Sequence, residues 1–203
     1  MLRRFLILGL VLSSLLASAL VLVVLTLGLH WGGDSRPATE KLPSPPDSVL
    51  DGALEYRSEV KGYSVRFPQG WSPQPSSVDL ERTSTDVFFA MPVDGEPGVA
   101  PTLSITKETL PSGMDIDEYL RGWLEYLGAG SKDISQPEPL NIGGMEGYLV
   151  DYEGFSRQQS VQLTAAVLVM GDAGWEIVLA VPEGKRSEYR PLLAAVLNSL
   201  TIR

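Results

Sequence analysis

Cysteine is absent from the 203 residues, and histidine occurs once, at His30. The first absence excludes disulfide staples, thiolate metal sites, a cysteine nucleophile and the acylated cysteine of a lipoprotein. The second leaves the globular part without an imidazole base for a serine mechanism and without a His/Cys zinc set, because His30 stands beside an N-terminal apolar run. Positive charge is also scarce, with 16 Lys and Arg against 25 Asp and Glu. Setting aside Arg3 and Arg4, which precede the apolar run, leaves 14 against 25, or −11 for the remainder. That balance argues against a nucleic-acid partner, which needs clustered Lys and Arg, and against the domain lying on an anionic lipid surface.

What the chain has in abundance is apolar sequence at its start. Phe5 to Leu29 contains no charged residue; as a helix it would span about 37 Å, more than the roughly 30 Å hydrocarbon core of a bilayer. With Arg3 and Arg4 before it and Asp34 after it, the positive-inside rule places the N-terminus in the cytoplasm and the rest outside. Trp31 would sit at the outer interface. Residues 1–30 therefore read as a transmembrane signal anchor, with 5–29 as the membrane contact of a single-pass protein. The rival reading is a signal peptide cleaved after Ala17-Ser18-Ala19, which would leave the apolar "LVLVVLTLGL" as a new terminus. Both readings export the domain. Residues 31–53, with Pro37, Pro43, Pro45 and Pro46 among small and polar neighbours, read as a flexible linker.

Residues 54–203 carry the patterns of a globular domain. In "GYSVRFPQGW" (62–71), Tyr63, Val65 and Phe67 alternate with Ser64 and Arg66, the period of a strand with one buried face. Pro68 ends it, Gly70 turns the chain, and Trp71 is expected to fold back onto the apolar face and close the core. Further strands are expected at 86–92, 102–108, 147–155, 160–170 and 175–182, the last two joined by a "GDAG" hairpin. A helix is expected from the capping residue Asp115, with Glu118 completing a capping box. Its apolar face is Ile116, Tyr119, Leu120, Trp123, Leu124 and Leu127, and Gly128 and Gly130 stop it. A second helix, 187–200, repeats the spacing from Tyr189 to Leu200, its start held near Ser187 by Pro191. Two one-sided helices and a mostly antiparallel sheet predict an α+β fold, an α/β/α sandwich or a one-sided layer.

The order of "GYSVRFPQGW", "DVFFAMP", a helix with Tyr and Trp, "GGMEGYLVDYE", a long hairpin and a closing "VPEGKRSEYRPLLAAVLNSLTIR" resembles the PsbP-like domain family, over roughly residues 54–203. That family includes PsbP of photosystem II, its cyanobacterial relatives and DcrB-like exported proteins. The resemblance rests on packing motifs, Gly62-Tyr63, Pro68 to Trp71 and Tyr189 to Ile202, and so speaks for the fold before any activity. It implies a PsbP-like sandwich and a noncatalytic domain that docks on other proteins, sometimes with metal ions. Two departures stand out: the lipoprotein cysteine of cyanobacterial PsbP is missing, and the domain is acidic where plant PsbP is basic.

The chemistry available is thin. "GGMEG" (143–147) lacks the Lys-Ser/Thr of a P-loop and reads as a tight turn. Ser64 and Ser160 have no base to activate them and read as ordinary surface or strand residues. Carboxylates remain: Asp151 and Glu153 share a strand face, and acidic oxygens from neighbouring loops, Asp94 and Glu96 for instance, are available to join them in a site for a hard cation such as calcium. No catalytic or cofactor-binding residue is assigned and no cofactor is expected, while metal ligation stays open. The expectation is a membrane-anchored, noncatalytic, extracytoplasmic binding or scaffold domain with a protein partner, such as a membrane complex, and no nucleic acid. The alternatives are a photosystem II extrinsic or assembly factor with calcium binding, or a small enzyme or solute binder using carboxylates in a pocket between sheet and helix.

Overall fold

A computed structural model describes residues 47–73, 85–90, 100–128, 130–156 and 159–203. The apolar run 5–29, most of the linker, Asp94 and Glu96 lie outside the described residues. Among the described residues no helix is long and apolar enough to cross a membrane.

Alternation produces the first sheet. Strand β1 (Leu54–Ser58) pairs antiparallel with β2 (Tyr63–Phe67), and the terminal β10 (Thr201–Ile202) pairs with the other edge of β2. Tyr63, Val65 and Phe67 are buried, as the period of two requires; on the other face Arg66 is exposed but Ser64, paired with Thr201 of β10, is buried. Pro68 and Gly70 do turn the chain, and Trp71 packs against the core that holds Tyr63, Val65 and Phe67, as expected. It opens a short strand, β3 (Trp71–Pro73), at the edge of a second sheet, where it pairs with Ala90 of β4 (Thr85–Ala90) and lies half-buried against the core. The turn is at the same time a crossover between sheets, since a new ladder satisfies the backbone after Trp71.

That second sheet has seven antiparallel strands, ordered β3-β4-β5-β9-β8-β7-β6. It comprises β5 (Thr102–Thr109), β6 (Glu138–Ile142), β7 (Met145–Ser156), β8 (Gln159–Met170) and β9 (Ala173–Pro182) besides the first two. The "GGMEG" stretch begins as the β6–β7 hairpin turn, with Gly143 and Gly144 at φ 57° and 88°, left-handed values that glycine adopts without strain. Gly171 and Asp172 make the β8–β9 turn, with Met170 opposite Ala173.

The centre of the sheet is apolar on both faces because both are covered. Along β9, Trp175, Ile177, Leu179 and Val181 join one core, while Val178 joins another on the opposite face. Helix α1 (Ile116–Gly128) covers the second face with Ile116, Tyr119, Leu120, Trp123 and Leu127. The Asp115 side chain accepts the Glu118 N–H at 2.9 Å, as the capping rule requires. Helix α2 (Arg186–Ser199) lies on the first face. It starts one residue before the expected Ser187, and Pro191 stands in its second turn, where its ring removes one helical hydrogen bond. Leu192 to Leu197 are all buried, wider than a one-sided stripe, since α2 touches β8 and β9 of the large sheet, β2 of the small one and the 3-10 turn Asp47–Leu50. The layers are α1, the seven-stranded sheet, then α2 with the small sheet.

Candidate functional site

Three groups of ionisable side chains are tied together by this layering. The first sits between the two sheets. Asp86 on β4 is buried; its carboxylate accepts hydrogen bonds from Lys61 Nζ and from the Tyr63 hydroxyl, each at 2.5 Å. Lys61, in the β1–β2 turn, is buried as well. Its carbonyl accepts from Lys107 Nζ at 3.0 Å, and that ammonium stands 5.1 Å from the centre of the Trp175 ring. Burial, with the Asp86 carboxylate beside it, drives the Tyr63 hydroxyl far above its ordinary range, so it keeps its proton and donates it in the bond to Asp86. Both charges of the pair are matched at close range, which is what a buried ion pair needs to persist.

The second group meets the carboxylate singled out in the sequence. Asp151 accepts from Thr164 Oγ1 at 2.6 Å and from Arg190 Nη1 at 3.1 Å, with Arg186 Nε 3.8 Å away. Arg190 also reaches Glu138 at 2.7 Å, and Arg186 donates to the Tyr152 carbonyl at 2.9 Å. Asp151 and Glu153 do share a face of β7, but that face meets α2 and its arginines, whose charge repels a metal cation. Glu153 is joined through its backbone to Lys132. Among the described residues no three His, Cys, Asp or Glu side chains are placed to hold a metal ion. Ser64 and Ser160 both lie in strands, β2 and β8, and Ser64 is buried rather than at the surface.

The third group went unmarked in the sequence reading. Glu176 on β9 projects toward α1 from the same face as Val178, and Trp123 Nε1 donates to it at 2.9 Å. On the neighbouring strand the Glu108 carboxylate accepts from the Tyr119 hydroxyl. Burial raises the Glu176 carboxyl above its ordinary value of 4.5; the Trp123 hydrogen bond opposes that shift and the Glu108 charge reinforces it. The hydroxyls of Tyr119 and Tyr152 are pushed up, first by burial and then by the neighbouring carboxylates. Tyr119 fits because Gly174 leaves room: a Cβ there would stand 2.7 Å from Tyr119 Cζ. Chemically this is a half-buried carboxyl set in an aromatic wall, its neutral form favoured by burial, a group suited to proton exchange with a bound molecule. The signal that could have exposed it was Glu176 interrupting the apolar run of β9 on the face turned to α1.

No known protein family matches the sequence, and no curated protein does. Solved structures match the fold. LpqN of Mycobacterium tuberculosis, described as involved in cell envelope biogenesis, aligns with TM-score 0.57 at 13% identity over 77% of this chain and 95% of its own. The cyanobacterial PsbP of Synechocystis aligns with TM-score 0.54 at 14% identity over 86% and 99%. A protein of unknown function and putative regulator from Pseudomonas aeruginosa aligns with TM-score 0.52 at 16% identity over 74% and 97%. At such identities the likeness is one of architecture, and the architecture is PsbP-like.

Proposed function

We propose that this protein is a membrane-tethered, extracytoplasmic, noncatalytic binding and scaffold domain that docks on a protein complex. The observation that carries the reading is Tyr126, which stands 81% exposed on the outer side of α1, whereas large aromatics ordinarily lie in cores or at protein interfaces. Two things support it. The charges of the first two groups are tied to one another in pairs that hold layers together, and the domain has neither histidine nor cysteine for catalysis. An exported domain on an apolar N-terminal run also suits the envelope setting in which one fold neighbour is described.

The test is a photo-crosslinking residue placed at Tyr126 of the full-length chain in its native membrane. The reading expects a discrete adduct with a membrane or envelope protein, and recovery of the chain in the membrane fraction. It fails if the exposed aromatic gives no adduct or if the chain is cytoplasmic. A carboxylate-based enzyme or solute binder is favoured by Glu176 alone; a ligand whose affinity is abolished by Glu176→Gln would establish it in place of the scaffold reading.

A further inference from the structure

Sheet edges expose unpaired backbone groups, and folds protect them with proline or by keeping them short. In this protein the outer strands of the large sheet each contain a proline, Pro73 in β3 and Pro139 in β6, and β10 spans only Thr201–Ile202. β1 is different. It runs Leu54-Glu55-Tyr56-Arg57-Ser58 without proline, pairs with β2 on one side, and among the described residues nothing pairs with its other side. Two apolar residues flank the free edge in the open, Leu54 at 64% and Val60 at 71% exposure.

The sequence of that edge is self-complementary. If two copies of β1 lie antiparallel about Tyr56, Glu55 of each stands directly opposite Arg57 of the other on one face. Directly opposed residues in an antiparallel pair sit about 5 Å apart, within reach of an ion pair. Both side chains are half-exposed, at 55% and 47%; within one chain they bond weakly to each other at 3.3 Å, and Arg57 also stands 4.0 Å from the Glu59 carboxylate. From this pattern we infer that β1 is a homodimerisation edge, and that a second copy of the chain joins the two small sheets, order β1-β2-β10, into one six-stranded antiparallel sheet with two-fold symmetry. Two symmetric Glu55–Arg57 pairs set the register, and a shift by one residue would place Glu55 opposite a residue of the wrong face. The inference concerns a surface apart from α1 and Tyr126, and stands or falls independently of the scaffold reading.

The experiment uses charge exchange on the full-length protein in detergent, followed by sedimentation velocity. Wild type is expected to form dimers. E55R places Arg opposite Arg, and R57E places Glu opposite Glu, so each variant alone is expected to self-associate about tenfold or more weakly. An equimolar mixture of the two restores opposite charges at both pairs and is expected to recover a heterodimer, which also shows that both variants are folded. A wild type that stays monomeric at high micromolar concentration, including one whose edge instead captures a foreign extended peptide, overturns the inference. So does a pair of variants that dimerise as well as wild type, or a mixture that fails to rescue.

Discussion

Glu176 shows how one residue acquires chemistry from its surroundings. Its carboxyl is half-buried beneath α1, so removal from water favours the protonated form and lifts its pKa above 4.5. The folded state then holds a proton that the unfolded chain has lost, and stability is fully present below the ordinary value and falls as pH rises through the raised one. Glu176→Gln, which keeps the shape and removes the titration, is expected to flatten that decline; urea unfolding midpoints across the pH series check it. Asp86 is a buried carboxylate paired with Lys61 at 2.5 Å. Asp86→Ala leaves a buried ammonium unpaired and is expected to cost about 3–5 kcal/mol in urea unfolding, whereas replacing both partners with apolar residues is expected to recover most of the loss.

At the scale of elements, α1 shows most clearly what the sequence made legible. Its capping residue and the Ile116 to Leu127 stripe are as periodicity predicts, because both are local properties of a helix end and a helix face. Asp115→Ala is accordingly expected to destabilise the domain by about 1 kcal/mol, seen as a shift of the thermal midpoint. The close seating of α1 on the sheet is not local. Gly174 and Tyr119 are far apart in the chain, and only the folded layers bring them into contact. Gly174→Ala is expected to cost about 1–3 kcal/mol by overpacking and to displace Tyr119 from Glu108; near-ultraviolet circular dichroism would register the moved ring. Short edge strands such as β3 and β10 escaped the pattern, because two or three residues carry no readable period.

Taken as a molecule, the two apolar cores are the two faces of one sheet, and Ala165 and Ala166 of β8 belong to opposite ones. Loosening either core removes support from the strands that carry the other, so the described domain is expected to unfold as one unit. Tryptophan fluorescence and far-ultraviolet circular dichroism of the unaltered protein should give coincident midpoints in urea, and separated midpoints would show two independent units. The chain by itself determined the absence of cysteine and of histidine chemistry, the acidic balance, the apolar run at 5–29, both helices and the long strands, since composition and periodicity are one-dimensional properties. Tertiary structure alone decided that Trp71 opens a second sheet, that α2 is buried over more than one face, that Asp151 faces two arginines and that the Glu176 carboxyl is covered by α1. Each of these depends on which strand lies beside which and on what covers a given face, and no local spacing encodes that.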